Sequence, residues 1–200
     1  MFNCIIKITT IIFTSCYFVA NCSSVKESSF TKAQLKPSHD AFIRKDKNTK
    51  QHGQASKITV TQQGSNQRIG LMKFNTADYD EEIFEENNVK AYLQLGVAET
   101  HSTDPVDIKV LRLENGFDEN EVSWKNFDGD SVVENYVRFT VEKEHVNQLG
   151  QVDVSDLLVP GEDTVFAFVI EDTGHVKFHS KEHSVDKKMS PSLILTKDEL

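Results

Sequence analysis

Three of the seven histidines are spaced at intervals of four residues: His175, His179 and His183. On a helix these positions would share one face and could bind a transition metal through their imidazole nitrogens. Gly174 and the alternating pattern of residues 176–178 favour a strand and a hairpin instead. The two ends of such a strand would lie about 25 Å apart, too far for one ion. We therefore expect no metal site formed by these three histidines.

An acidic turn offers the other candidate for ion binding. Asp128 and Asp130 flank Gly129, and carboxylates are preferred ligands of Ca²⁺. The spacing falls short of an EF-hand loop, which needs a glutamate further along the chain. The alternative is a solvated turn in which the aspartates cap backbone N–H groups. We expect no resident cofactor, with Ca²⁺ at Asp128 and Asp130 as the weaker alternative.

The sequence lacks the motifs of several enzyme classes. It contains no Gly-x-Ser-x-Gly elbow, no phosphate-binding loop and no candidate cysteine nucleophile. No pair of carboxylates stands out as a general acid and base. The sequence therefore predicts a protein without enzymatic activity, and a polysaccharide-degrading enzyme is the less favoured alternative.

The elements that position these side chains are predicted to be β-strands. From Asp40 onward, apolar and polar residues alternate with a period of two between Gly, Asp and Asn turns. The runs are 41–44, 57–61, 68–74, 90–97, 106–113, 136–141, 151–154, 164–170, 175–180 and 193–196. The most hydrophobic run, 164–170, predicts a central strand buried on both faces. Helical signal is confined to 78–88 and 154–158. The pattern indicates an all-β fold with little helix, an antiparallel β-sandwich of the jelly-roll type.

Several short motifs follow one another in a recognisable order. They lie at 40–44 (Asp-Ala-Phe-Ile-Arg), 48–60, 72–75, 117–126, 152–170 and 178–195. In this order they resemble carbohydrate-binding module family 96, also called DNRLRE-type secreted jelly-roll domains. The resemblance covers roughly Asp40 to Thr196. It implies a non-catalytic module that binds a glycan or polysaccharide.

Several basic residues occupy motif positions on the predicted strands, and the resemblance implies that they could bind the ligand. Uronate-containing polysaccharides carry carboxylates, which pair with Arg and Lys side chains. The predicted ligand-binding residues are Arg44, Arg68, Lys73, Lys177, His179, Lys181 and Glu182, of which Glu182 could orient Lys181 or Arg44. We predict that they bind an acidic polysaccharide. The alternative is that they form ion pairs in a structural or protein-interaction module that has no glycan ligand.

Composition limits the partners of the chain. The formal net charge is -9, which disfavours nucleic acid and anionic membranes as partners on electrostatic grounds. All three cysteines, Cys4, Cys16 and Cys22, precede the predicted domain. The domain must then be stabilised by apolar burial rather than by disulfides, and 13 phenylalanines can supply it.

Both ends of the chain carry targeting patterns. Residues 1–22 predict a signal peptide, because a basic start precedes an apolar stretch of about 13 residues, shorter than the ~20 that span a bilayer. The last four residues, Lys-Asp-Glu-Leu at 197–200, match the signal read by the retrieval receptor of the endoplasmic reticulum. A flexible lead-in at 23–38 and the β-sandwich module at 39–196 lie between them.

These patterns together predict a location. We expect the protein in the secretory pathway, within the lumen of the endoplasmic reticulum, with the retrieval receptor as a partner if the source is eukaryotic. After leader cleavage no transmembrane segment is expected. The alternatives are an extracellular protein, an uncleaved anchor, or a bacterial lipoprotein modified at Cys16 or Cys22.

Overall fold

A computed structural model describes residues 30–183 and 185–197, with the side chains of residues 85–87 and 130 excepted. The predicted signal peptide and residues 198–200 of the predicted retrieval signal lie outside the described residues. Both stay predictions.

The described chain is built mainly from antiparallel strands. The strands are β1 Lys32–Leu35, β2 His39–Arg44, β3 Lys57–Gln63, β4 Asn66–Phe74, β5 Val89–Thr100, β6 Val106–Leu113, β7 Val132–Val141, β8 Leu149–Asp153, β9 Thr164–Ile170, β10 Gly174–His179 and β11 Ser192–Lys197. One α-helix, α1, covers Glu81–Asn87, and short 3-10 turns cover 45–47, 129–131, 143–145, 155–157 and 187–189. The two helical regions predicted from sequence correspond to α1 and to the turn at 155–157.

The strands form two layers joined by one hairpin. The first layer has the order β1-β11-β5-β10-β3, with β8 also paired to β5, and the second has the order β2-β4-β9-β6-β7. The β3–β4 hairpin pairs residues 61–63 with 66–68, after which the strands diverge into separate layers. At Gly70 an added Cβ would lie 2.8 Å from Ile58 Cγ2, so β3 packs closely over β4 only because this residue is glycine. The predicted antiparallel sandwich is confirmed.

Strand β9 shows how the core is divided. Phe166 and Phe168 point between the layers into the main core, while Val165 and Ala167 point to the opposite face of the second layer. That outer face is covered by the connection between β6 and β7, residues 114–131. The connection contributes Phe117, Val122, Trp124 and Phe127 to a second apolar cluster. The predicted burial of 164–170 on both faces is confirmed.

The domain begins earlier than the sequence analysis placed it. Residues 32–35, within the expected flexible lead-in, form β1 and pair with residues 193–196 of β11. Ala33 and Leu35 pack against the main core, so burial of this face stabilises the short strand. At the other end, the Lys197 N–H donates a hydrogen bond to Thr31 O at 3.2 Å.

No helix within the described part of the chain is long and apolar enough to cross a membrane.

Candidate functional site

A row of polar side chains crosses the sheet at the hairpin end of the molecule. The register places Arg44 opposite Arg68, Arg68 opposite Thr61, and Thr61 opposite His175. Directly opposite residues of antiparallel strands point to the same face. The ring of His101, just after β5, stacks on the His175 ring with centroids 4.9 Å apart. The row therefore links β2, β4, β3 and β10 with the end of β5.

The same face continues along the outer side of β3 and β10. Lys177 lies opposite Thr59 on β3 and Glu99 on β5, and His179 lies opposite Lys57. We call this surface the basic face. It consists of Arg44, Lys57, Thr59, Thr61, Arg68, Glu99, His101, His175, Lys177 and His179. Of the residues predicted to bind ligand, Arg44, Arg68, Lys177 and His179 meet here.

Glu99 is the counter-ion of two lysines on the basic face. Lys177 Nζ lies 2.9 Å from Oε1 and 3.0 Å from Oε2, and Lys57 Nζ lies 3.4 Å from Oε2. The hydrogen bond from Lys177 is the main reason why the pKa of Glu99 falls to about 2. One ionised carboxylate thus balances two ammonium groups, so the face keeps an excess of positive charge.

The paired arginines differ in their partners: Arg44 is bound by the Asp46 carboxylate, whereas Arg68 has no such partner among the described residues. Arg44 donates from Nε to Asp46 Oδ1 at 2.9 Å. Arg68 is half-buried, its Nε has no hydrogen-bond partner, and no carboxylate of the described residues forms an ion pair with it. Burial, and then the charge of Arg44, lower the pKa of Arg68. Like charges directly across two strands are unfavourable, so a ligand carboxylate placed here would be stabilised.

The histidines of the face are mostly held as neutral imidazoles. His175 Nδ1 lies 2.8 Å from Thr61 Oγ1, and its Nε2 is buried without a partner. Burial lowers the pKa of His175 to about 4 and also lowers the pKa of His179. The sequence placed three histidines along one strand, which is right for His175 and His179. His183 instead follows a turn, and its ring lies 3.9 Å from that of His179.

Lys73 lies away from the basic face. It is five residues from Arg68 along β4, about 16 Å in an extended strand. Its Nζ forms an ion pair with Asp163 Oδ2 at 2.9 Å.

Lys181 and Glu182 belong to a buried cluster with Asp40 and Glu119, which we call the carboxylate anchor. Lys181 Nζ lies 2.9 Å from Glu119 Oε1 and 2.7 Å from Glu182 Oε1. The Lys181 N–H donates to Asp40 Oδ2 at 2.6 Å, and the Asp40 N–H donates to Glu119 Oε2 at 3.0 Å. Glu182 pairs with Lys181 rather than with Arg44. The anchor ties β2 to the 114–131 connection and to the loop after β10.

Burial sets the pKa of one carboxyl group in the anchor, that of Asp40. Asp40 is 1% exposed, and this burial, with the nearby Glu182 carboxylate, raises its pKa to about 8. The Asp40 carboxyl therefore keeps its proton to a much higher pH than an ordinary aspartate. Glu182 Oε2 is buried without a hydrogen-bond partner. Three of the sequence motifs, 40–44, 117–126 and 178–195, supply the residues of this cluster. The contacts of the anchor are therefore a physical reason for these three motifs.

Two groups of side chains in the described chain have a geometry that could hold a metal ion. They are Glu99 with His101 and His175, and Asp40 with Glu119 and Glu182. In the second group the Lys181 ammonium already lies between two carboxylates. Asp128, one of the two calcium candidates, belongs to neither group and accepts a hydrogen bond from Asn115 Nδ2 at 3.0 Å. The side chain of Asp130, the other candidate, lies outside the described residues.

The contribution of β5 to the basic face was not predicted from the sequence. Glu99 and His101 share strand parity, a weak signal that indicates only a common face. The non-sequential strand order, with β10 between β3 and β5, brings them beside His175 and Lys177.

Comparison with known proteins identifies the family of the chain. A comparison with curated proteins gives no match. The family model of carbohydrate-binding module family 96 matches residues 31–197, from just before β1 to the last residue of β11. The match includes the early strand and confirms the resemblance carried by the motifs. The chain belongs to carbohydrate-binding module family 96.

Proposed function

We propose that this module binds acidic, uronate-containing polysaccharides on the basic face and does not cleave them. Family membership supports carbohydrate binding in general, and the charge of the face supports the acidic class. The observation that carries the proposal is Arg68, a half-buried guanidinium opposite Arg44 that has no carboxylate partner among the described residues. A sugar carboxylate can supply that partner.

The chemistry of the face suits a polymer with repeated carboxylates. A guanidinium can bind one uronate carboxylate through two parallel hydrogen bonds. Lys57 and Lys177 lie further along the same face and can pair with the carboxylates of neighbouring sugars. The exposed His101 side chain adds an aromatic ring for contact with a pyranose face.

Charge distribution favours this ligand class over nucleic acid. The face has four Lys and Arg side chains, Arg44, Lys57, Arg68 and Lys177, against two nearby carboxylates, Glu99 and Asp46. The chain as a whole has a net charge of -9. A polyanion as dense as nucleic acid would be repelled by most of the surface, whereas a less dense polyuronate can approach one local patch.

Binding to a polyuronate and to a neutral polysaccharide of similar length tests the proposal. We expect saturable binding to the polyuronate alone, weakened by salt because the contacts are ionic. Arg68→Gln should weaken binding about 10–100-fold, because a hydrogen bond to a charged group contributes about 1.5–3 kcal/mol. Lys73→Gln is the matched control, since it removes a cation of the same strand outside the basic face.

Isothermal titration calorimetry with defined uronate oligomers gives the affinities, and circular dichroism confirms that each variant is folded. Equal affinity for both polymers would remove the acidic class from the proposal. An unchanged affinity in Arg68→Gln, or an equal loss in Lys73→Gln, would show that the basic face is not the binding site.

A further inference from the structure

The histidine end of the basic face contains a cluster with a different chemistry. Glu99 and His101 lie at the end of β5, and His175 lies beside them on β10. One ligand atom from each of these side chains lies within 4.8 Å of the other two. Two imidazoles and one carboxylate are a donor set that suits Zn²⁺ and related transition metals better than Mg²⁺ or Ca²⁺.

We propose that Glu99, His101 and His175 form a binding site for a divalent transition metal ion of the zinc class. Three protein ligands leave a fourth position for water or for an oxygen of a ligand. The proposal goes beyond polysaccharide binding and does not depend on it, because it rests on the donor atoms alone.

Of the three proposed ligands, His175 is held in position by hydrogen bonds of both its ring and its backbone. His175 Nδ1 lies 2.8 Å from the buried Thr61 hydroxyl. In the tautomer with the proton on Nδ1, this N–H donates to Thr61 Oγ1, which fixes the ring and leaves Nε2, a buried atom without a hydrogen-bond partner, to bind metal. Metal-binding histidines usually make such a second hydrogen bond. The backbone is held as well, because the His175 N–H donates to Ser102 Oγ at 3.2 Å and its carbonyl accepts from the His101 N–H at 3.3 Å.

Glu99 can offer one oxygen while its other oxygen stays paired. Oε1 contacts His101 Nε2, and Oε2 accepts from Lys177 at 3.0 Å and from Lys57 at 3.4 Å. Lys177 also reaches Oε1 at 2.9 Å, so a metal ion must displace this contact and take the place of the one between Oε1 and His101. The nearby ammonium charges lower the affinity, and we expect weaker binding than at a closed structural zinc site.

Only a small adjustment brings the three donors to bonding positions. Ligand atoms in a tetrahedral zinc site are about 3.4 Å apart, given metal–ligand bonds of about 2.0–2.1 Å. The spacing of at most 4.8 Å therefore has to shrink by no more than about 1.4 Å. The His101 side chain is 61% exposed, so it can rotate without disturbing the core.

Zinc titration of the chelator-treated, dialysed protein tests the site without any polysaccharide. Calorimetry should give one Zn²⁺ per chain, and Co²⁺ should produce visible absorption bands of a low-symmetry nitrogen and oxygen site. His101→Ala and Glu99→Gln should each abolish or strongly weaken binding. Thr61→Val, which removes the orienting hydroxyl at nearly constant volume, should weaken binding about 10–100-fold.

His39→Ala is the matched control, because it removes a histidine at the opposite end of β2 from Arg44 and should leave the affinity unchanged. His101 is exposed, so His101→Ala is expected to fold even if Thr61→Val does not. The absence of saturable binding by the folded protein, or wild-type affinity in both His101→Ala and Glu99→Gln, would overturn the metal site. Failure of polyuronate binding in the separate experiment would leave it standing.

Discussion

The basic face and the carboxylate anchor contain the same kinds of residue and use them in opposite ways. In the anchor, Lys181 is held between two carboxylates and Asp40 is almost fully buried. On the basic face, one carboxylate, Glu99, serves two lysines, and Arg68 has no carboxylate partner within the described chain. Removing one partner of a buried ion cluster leaves an uncompensated charge and destabilises the fold, whereas a cation without a protein partner is available to a ligand.

The comparison also separates the two hypotheses that the sequence left open. Lys73, Lys181 and Glu182 form the internal ion pairs of the structural alternative. Arg44, Arg68, Lys177 and His179 lie together on the face that we propose binds polysaccharide. We therefore propose that each description applies to a different part of the molecule.

The largest expected effect is on the anchor. Lys181→Met removes the ammonium that lies between Glu119 and Glu182, and leaves both carboxylates without their cation. Breaking one partner of a buried ion cluster should lower the free energy of unfolding by about 3 kcal/mol. Lys177→Met is the matched control on the basic face. Lys177 is as exposed as Lys181, but its partner Glu99 is 27% exposed against 9% for Glu119, so the loss of this pair should cost less than about 1 kcal/mol. Urea denaturation followed by circular dichroism measures both changes. Equal losses in the two variants would remove the distinction between the regions.

The second effect is a pH dependence of stability that originates in the anchor. The pKa of Asp40 is about 8 in the folded chain and about 3.9 in an unfolded chain. The folded state therefore binds one more proton between these values, and this group makes stability fall by about 1.4 kcal/mol per pH unit as pH rises through that window. Asp40→Asn keeps an acceptor for the Lys181 N–H and removes the titration. Its stability relative to the wild type should rise from pH 4 to pH 8.

Denaturation curves at several pH values measure this difference, and Asp163→Asn provides a control of opposite sign. The hydrogen bond from Lys73 lowers the pKa of Asp163. This residue therefore stabilises the folded state above the unfolded pKa, and the contribution is lost as pH falls. Asp163→Asn should lose stability at neutral pH and approach the wild type in acid. Parallel wild-type and Asp40→Asn curves would show that Asp40 is ionised in the folded protein.

Much of the fold was predictable because its strands have one polar and one apolar face. The alternation identified runs such as 106–113 and 164–170, and the structure contains strands over both. Strand β1 was missed because Ala33 and Leu35 alone give too short a pattern. The 114–131 connection has no period at all, yet it covers the outer face of the second layer. Such irregular coverage depends on tertiary contacts, which local periodicity does not encode.

The site was predictable in its residue types and not in its grouping. Parity shows that Lys177 and His179 share a face, because both lie on β10. Their relation to Arg68 depends on strand order and register, and β10 lies between strands that are distant in sequence. The two lysines Lys177 and Lys181 are equally exposed, and what separates them is the burial of their partners: the Glu119 side chain is 9% exposed and the Glu99 side chain 27%. The sequence predicted both lysines to bind ligand, because a motif shows which residue stands at a position and not what surrounds it in the fold.

The smallest expected effect concerns Glu99, where the two proposals for the basic face make opposite predictions. Glu99→Gln releases Lys57 and Lys177 from their shared carboxylate and adds one net positive charge to the face. Because ion pairs near the protein surface contribute about 0.2–1 kcal/mol, polyuronate affinity should rise by roughly 1.4- to fivefold. The same substitution should remove the zinc site, since a neutral amide is a poor metal ligand. Calorimetric titration of this variant with uronate oligomers and, separately, with Zn²⁺ measures both effects. A fall in polyuronate affinity would show that Glu99 contacts the sugar directly, which would shift the binding surface from the arginines of β2 and β4 to the β5 edge.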